Sequence, residues 1–189
     1  MLRLKVSGIS SLTDARYCAG MGVSYLSLVF DQSGITSLSS DEFHAIRPWI
    51  EGVKWLAEYQ GSDLSIIRLI RESYRPDGWI LPAGLSADEI SEEIWSHLEV
   101  NQNSGRLPDG RLHLHFQSDL PENLRQILQE NSMHSGPWML ENHLHPEEAM
   151  KLAADFPELV FSIRSGKEER PGWMDLGALQ DYLEALEEF

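Results

Sequence analysis

The stretch LRLKVSGISSLTDA, residues 2–15, contains the structural unit that decides the fold. Residues 2–7 alternate apolar and polar side chains, which predicts a β-strand. Ser11 and Thr13 offer hydroxyl caps and Asp14 an acid for a first turn, so a helix is predicted to follow at once. Gly20 and Gly22 suit the end of that helix. The chain therefore opens with a strand followed directly by a helix.

The same unit recurs along the rest of the chain. Further strands are predicted at 23–30, 53–59, 78–81, 97–101, 112–117, 138–141 and 159–164. Helices are predicted to begin near Ser39, Ser62, Ser86, Pro121, Pro146 and Asp175. The loop Asn103–Gly110 is rich in Gly, Pro, Asn and Asp and is too short for a crossover helix. About eight strand–helix units predict one α/β domain, residues 1–189, with parallel strands.

Two architectures fit this pattern, a closed (β/α)8 barrel and an open doubly wound sheet. A barrel of 189 residues would be compact, because this fold usually needs about 200 residues or more. No G-x-G-x-x-G or Walker-type loop follows any predicted strand. Nothing therefore favours a nucleotide-binding open sheet, and no cofactor is predicted.

Composition narrows the function further. Thirty acidic against fifteen basic residues give a formal charge of −15, which disfavours binding to nucleic acid or to an anionic membrane. No apolar run approaches the roughly 20 residues that span a bilayer, and the first residues lack a secretory signal. The single cysteine, Cys18, excludes a disulfide framework and is expected to be a small buried residue. We expect a cytoplasmic protein, monomeric or homodimeric.

Several motifs resemble one enzyme family. KVSGIS (residues 5–10) with LTDA (12–15) is similar to the K-I-C-G-I-T and L-x-D-A opening of phosphoribosylanthranilate isomerase, a small barrel enzyme of tryptophan biosynthesis. Residues 22–30, 142–148, 161–168 and 171–175 resemble further patterns of that family. The resemblance implies a compact (β/α)8 TIM barrel with an eroded fifth β/α unit, and descent from an aldose-ketose isomerase.

The catalytic positions depart from the family pattern. The family base is the cysteine of K-x-C-G, whose thiol supplies a thiolate at neutral pH. Here that position is Ser7, and an alcohol is too weak a base unless another group activates it. The family acid is an aspartate that closes the sixth strand. This chain has His113 to Phe116 there, and Asp119 comes too late.

The family's phosphate site is also altered. The arginine that follows the second strand in the family falls near Thr36, and the Gly-Gly pair after the seventh strand is Asn142-His143. Glycine amides at such positions cradle a phosphate, and side chains hinder that close approach. Only Ser165 and Gly166 keep the family pattern, so the resemblance makes them candidates for substrate binding together with Asn142 and His143.

The carboxyl ends of barrel strands hold the functional residues of this fold, and strand alternation decides which side chains face inward. The side chains predicted to line this mouth are polar: Ser7, Glu58, His115, Gln117, Asn142, His143 and Arg164. Lys5 and His113 are predicted to face inward at deeper levels. This set makes His115 or Glu58 a candidate general base and Arg164 a candidate anion clamp beside Ser165 and Gly166.

Each assignment has a structural alternative. Arg164 and Glu58 can form an ion pair across the barrel, His115 can be a hydrogen-bonded core histidine, and Ser7 can simply fill the space of a thiol. The histidines His113, His115, His143 and His145 suggest a metal, but alternation places His113 deeper than His115 and His145 at a helix start, so no metal site is predicted.

Three functional hypotheses follow. The first is a diverged enzyme that acts on a small anionic or phosphorylated substrate. The second is a non-catalytic protein that keeps the pocket for binding or regulation. The third is a working isomerase that uses other residues. Since the base, the acid and the phosphate loops all differ together, we expect the parent isomerisation to be lost.

Overall fold

A computed structural model describes residues 2–85, 90–100, 107–116, 123–131, 135–141, 145–165, 168–170, 173–174 and 177–187. Parallel strands form a closed barrel in chain order. They are β1 (Arg3–Ser7), β2 (Tyr25–Phe30), β3 (Lys54–Tyr59), β4 (Gly78–Pro82), β5 (Glu93–Val100), β6 (Gly110–Phe116), β7 (Ser135–Glu141) and β8 (Val160–Arg164). Pairing of β8 with β1, from Arg3↔Val160 to Ser7↔Arg164, closes the ring. The predicted TIM barrel is confirmed.

Helices follow most strands, and the predicted serine caps start the first two of them. They are α1 (Leu12–Gly20), α2 (Ser40–Ile46), α3 (Leu64–Tyr74), α4 (Leu124–Asn131), α5 (Pro146–Asp155) and α6 (Gly177–Glu187). Ser11 accepts a hydrogen bond from the Asp14 amide, and Ser39 forms a capping box with Glu42. A 3₁₀ turn (Arg47–Trp49) follows α2, and a short hairpin of β9 (Glu168–Arg170) and β10 (Trp173–Met174) follows β8.

The prediction between β4 and β5 was wrong in one respect. A helix was expected from Ser86, with a strand from His97, but the strand already begins at Glu93. The proposed capping residues 86–89 lie outside the described residues, and neither 83–85 nor 90–92 is helical. Glu93 to Val100 alternates between the barrel interior and the outside, and this period of two decides the element. The described part of the next connection, 107–109, is also not helical.

Two apolar layers enclose the strands. Inside the lower half of the barrel, one buried cluster fills the space: Tyr25, Leu56, Ile80, Trp95, Met139 and Val160. Outside, the helices cover the opposite faces of the strands, as where Phe43 of α2 meets Trp55 of β3 edge to face at 5.0 Å. The buried polar side chains Ser7 and Glu141 lie at the carboxyl ends of their strands, which is where a barrel of this kind places its site.

Candidate functional site at the barrel mouth

One group of polar side chains lies at the centre of the barrel, on β1, β3 and β8. Lys5 is fully buried, and its Nζ lies 2.7 Å from Glu58 Oε1. The same ammonium donates to Ser7 Oγ at 2.6 Å and to Ser162 Oγ at 3.1 Å. Each of its three protons therefore has an acceptor, as a buried charge requires.

This network determines the chemical state of Ser7. Its side chain is buried, with a residue exposure of 2%, and its oxygen accepts a hydrogen bond from the Lys5 ammonium. A lysine activates a serine only when its amine is neutral, and the adjacent Glu58 carboxylate stabilises the charged form. The hydroxyl at the family's base position has no activating base in Lys5.

Glu58 is equally engaged. Burial raises the pKa of its carboxyl, but Lys5, His113 and the hydrogen bond from Ser27 outweigh burial and hold that pKa below its usual range. Ser27 donates to the same Oε1 that pairs with Lys5. Glu58 is thus ionised and pairs with Lys5 at the centre of the barrel, where the residue is 5% exposed.

A second group surrounds Glu141, the last residue of β7. Arg164 Nε donates to Glu141 Oε1 at 2.5 Å. His113 Nε2 lies 3.0 Å from Oε2 and His115 Nδ1 lies 3.7 Å from Oε1, although neither ring nitrogen is aligned for a full hydrogen bond. One carboxylate therefore joins β6 to β8 across β7.

Exposure increases from the interior towards the mouth through this group. The side chains of His113 and Glu141 are 1% and 7% exposed, that of His115 is 29% exposed, and that of Arg164 is 63% exposed. Among the described residues, Arg164 donates a hydrogen bond only through Nε.

The charges of this second group follow from its surroundings. Burial, together with the positive charge of Lys5, lowers the pKa of His113 to about 4, so its ring is neutral at pH 7. Burial disfavours ionisation of Glu141, yet His113, Lys5 and Arg164 outweigh it and keep the pKa of that carboxyl far below its usual range. Burial lowers the pKa of Arg164, but the bond to Glu141 raises it more.

A third histidine, His97, extends the group to β5. Its Nδ1 lies 2.9 Å from the Nδ1 of His113, which faces it across the β5–β6 pairing His97↔His113. The ring of His97 is also near that of His115, with centroids 5.8 Å apart. Three imidazoles and one carboxylate therefore share the β5–β7 side of the mouth.

Ser165 is occupied by the opening loop. Its hydroxyl donates to the carbonyl oxygens of Ser7 and Gly8, at 2.5 and 3.0 Å, and its amide donates to the Ser7 carbonyl at 3.0 Å. Gly8 has φ +76°, and a Cβ there would lie 3.0 Å from Ser165 Oγ. The Ser165 hydroxyl thus ties the end of β8 to the end of β1.

The predicted interior positions can now be compared with the structure. Ser7, Glu58, His115 and Arg164 lie where alternation placed them, whereas Gln117, Asn142, His143 and Gly166 fall outside the described residues. The suggested pairing of Arg164 with Glu58 was wrong, because Arg164 pairs with Glu141 and Glu58 with Lys5. The catalytic and binding roles of the predicted site residues remain predictions.

Sequence reasoning missed Glu141 and His97. A signal for Glu141 existed, because Trp138 and Leu140 face outward and the alternation puts Glu141 inward at the strand end. His97 was missed because the strand was predicted to start too late.

Within the described ranges, no three His, Cys, Asp or Glu side chains are grouped so that they could hold a metal ion. No helix of that described part is both long and apolar enough to span a bilayer.

No protein-family model matches the sequence, and no curated protein matches it. Solved structures match over the whole chain. Phosphoribosylanthranilate isomerase from Thermus thermophilus superposes with a TM-score of 0.76 at 17% identity, covering 99% of each chain. Monomers of the dimeric enzyme from Thermotoga maritima give 0.72 at 18% identity, covering all of both chains. This chain has the phosphoribosylanthranilate isomerase fold.

A third match is a phosphoribosylanthranilate isomerase in complex with reduced 1-(o-carboxyphenylamino)-1-deoxyribulose 5-phosphate, with a TM-score of 0.72 at 15% identity and full coverage of both chains. The predicted resemblance to phosphoribosylanthranilate isomerase is therefore confirmed at the level of the fold.

Proposed function

We propose that this chain is a phosphoribosylanthranilate isomerase-like barrel that does not catalyse the parent aldose-ketose isomerisation and instead binds a small anionic molecule at Arg164. The observation that carries the first part is the buried Ser7 hydroxyl, which accepts a hydrogen bond from the Lys5 ammonium. We also propose that the protein works in the cytoplasm.

Proton removal in the parent reaction needs a base at the position of Ser7. An unactivated alcohol does not take up a proton at neutral pH, and the Lys5 ammonium donates to it rather than accepting from it. Glu58, the nearest carboxylate of this group, is committed to Lys5 and Ser27. The central polar group therefore supports a structural role.

The anion proposal depends on the geometry of Arg164. Glu141 fixes the guanidinium through Nε, which orients the side chain and leaves the two terminal nitrogens of a planar fork. The side chain is 63% exposed at the mouth, so a ligand can reach that fork. A phosphate or carboxylate suits two parallel N–H donors. The ligand of the matching isomerase complex, which carries a carboxyl and a phosphate group, agrees with this class.

A tryptophan auxotroph that lacks phosphoribosylanthranilate isomerase tests the first part. Expression of this chain is expected not to restore growth without tryptophan, and the purified protein is expected not to consume phosphoribosylanthranilate above background. Growth at the rate given by an intact isomerase would overturn the proposal.

Thermal unfolding with inorganic phosphate, ribose 5-phosphate or pyruvate tests the second part. A ligand that binds only the native state raises Tm, here by a few degrees at concentrations well above Kd. Arg164→Ala is expected to abolish the rise. Arg111→Ala is the matched control. Arg111 also lies near a glutamate, Glu93, and its side chain is 48% exposed, but it lies at the amino end of β6, away from the mouth. Equal shifts in wild type and Arg164→Ala would contradict the assignment.

One observation favours a second candidate function. His115 lies 3.7 Å from Glu141 and reaches the mouth, so a diverged enzyme with His115 as general base would act on the same small anion. His115→Gln tests this candidate, because a catalytic base is essential for turnover and a core histidine is not.

A further inference from the structure

Glu141, His113 and His97 lie in a row on β7, β6 and β5. Glu141 Oε2 lies 3.0 Å from His113 Nε2, and His113 Nδ1 lies 2.9 Å from His97 Nδ1. The strand register supports this order, since His113 pairs with Met139 on one side and with His97 on the other. His113 therefore contacts a carboxylate through Nε2, outside full hydrogen-bond alignment, and a second imidazole through Nδ1.

These contacts assign the hydrogen positions. An ionised carboxylate can only accept hydrogen bonds, and it would repel a nitrogen lone pair that lies 3.0 Å away. The Nε2 of His113 therefore carries the hydrogen. The Nδ1 of a neutral His113 is then an acceptor. The close Nδ1 contact with His97 needs one donor, which must be His97. His97 consequently holds its hydrogen on Nδ1 and a lone pair on Nε2.

The surroundings of His97 make that lone pair usable. Trp95, the preceding inward residue of β5, is fully buried and closes the interior below it. His97 itself is partly exposed, and within the described residues no protein atom bonds its Nε2. Burial lowers the pKa of His97 more than Glu141 raises it, so the ring is neutral at pH 7. The Nε2 is thus an unprotonated base on a partly exposed ring.

We propose that Glu141, His113 and His97 form a carboxylate–histidine–histidine relay in which His97 Nε2 is a general base towards a small anion that carries a C–H bond next to a carbonyl group. The choice of substrate class rests on the proposed anion site at Arg164. Glu141 links the two, because it contacts both Arg164 and His113. Glu141 and His113 are positioning residues that fix the tautomer of His97 and stabilise its protonated form.

The chemical step balances within the protein and its substrate. The C–H bond breaks, its proton goes to His97 Nε2, and the electron pair moves onto the carbonyl as an enolate. The positive charge on His97 is stabilised through His113 by Glu141, which itself stays ionised. Return of a proton from His97 to the same carbon restores the substrate, and in D2O the returning nucleus is a deuteron.

The first test reads the tautomers in the protein without ligand. Long-range ¹H–¹⁵N NMR spectra are expected to show the hydrogen on Nε2 in His113 and on Nδ1 in His97, the latter being the minor tautomer of free histidine. Glu141→Gln is expected to weaken this preference at His97 without unfolding the barrel, a change that loss of packing alone would not produce. Hydrogen on Nε2 of His97 in the wild-type protein would overturn the relay.

The second test follows exchange of the methyl protons of pyruvate in D2O by ¹H NMR. Wild-type protein is expected to accelerate exchange over buffer, and His97→Gln to lower kcat by about 100-fold or more. Glu141→Gln and His113→Gln are expected to lower kcat at least about tenfold, whereas Arg164→Ala raises KM. His44→Gln, on the outer helix α2, is the histidine control and should leave exchange unchanged.

The outcomes separate the two proposals. A rise of Tm with pyruvate that Arg164→Ala abolishes, without any exchange, would keep the anion site and overturn the base. Loss of exchange in His115→Gln, with full exchange in His97→Gln, would also overturn the assignment of His97 as the base. Absence of any anion-induced rise of Tm would overturn the anion site, while the tautomers decide the relay independently of it.

Discussion

Lys5 Nζ and Glu58 Oε1 form an ion pair of 2.7 Å at the centre of the barrel, where their side chains are 0% and 6% exposed. Removing one partner of a buried pair leaves the other charge uncompensated, which typically costs about 3–5 kcal/mol. We expect Lys5→Met to lower the free energy of unfolding by this amount in urea titrations.

The double variant Lys5→Met with Glu58→Leu is expected to recover much of that loss, because an apolar pair of similar volume needs no compensation. Lys54→Ala serves as the control, since Lys54 pairs with Glu93 at 54% side-chain exposure and should cost less than about 1 kcal/mol. A Lys5→Met loss no larger than that of Lys54→Ala would show that the central pair is not charged.

Ser7 is expected to contribute to stability and not to chemistry. Ser7→Ala removes one acceptor of the Lys5 ammonium and should cost about 1–2 kcal/mol. Pyruvate exchange and anion-induced Tm shifts should stay as in the wild type. A variant that keeps its stability but loses exchange would instead place the hydroxyl in a reaction.

Acid should destabilise the protein through His113. Burial lowers its pKa to about 4 from an ordinary 6.5, so between these values the unfolded chain binds a proton that the native protein does not. The free energy of unfolding therefore falls as the pH falls through this window, by about 2 kcal/mol between pH 7.5 and pH 5. Urea titrations across that range measure it.

His113→Gln should flatten this dependence. His97, whose pKa is also lowered, adds a loss of the same sign. An unchanged slope in His113→Gln would mean that the buried ring does not titrate differently in the folded and unfolded states.

Gly8 should tolerate substitution less well than a matched glycine. Gly8→Ala forces a Cβ into a backbone of φ +76° and to 3.0 Å from Ser165 Oγ. Gly52→Ala meets the same backbone strain at φ +77° with no atom within 4 Å. Both should lose about 1–2 kcal/mol from the left-handed conformation, and Gly8→Ala should lose more. Equal losses would show that Ser165 yields without cost.

The strands and the inward side chains were predictable, but the partners were not. Alternation alone placed Lys5, Glu58, His113 and Arg164 inside, because a period of two fixes the face of every residue in a strand. Which charges meet depends on strand register and stagger around the barrel. Arg164 thus meets Glu141 from the neighbouring strand, and Glu58 meets Lys5 instead of Arg164.

The error at β5 has a local cause. Ser86 to Glu89 has the composition of a helix start, and such signals are read from a few residues. Closure of the ring needs a strand beside β4, and Glu93 to Val100 supplies alternating side chains for both faces. Tertiary pairing therefore decides the conformation from Glu93 onward, and it brings His97 into register with His113.

The seam between β1 and β8 has a consequence for biosynthesis. β1 is synthesised before β8, and one of its edges has no partner until Val160–Arg164 has also been synthesised. The nascent chain carries that open edge while the intervening strands and helices are being made, and an unpaired edge is a template for association with other chains. Ring closure therefore follows the synthesis of β8, and the growing chain is exposed to association through this edge until Arg164 has emerged.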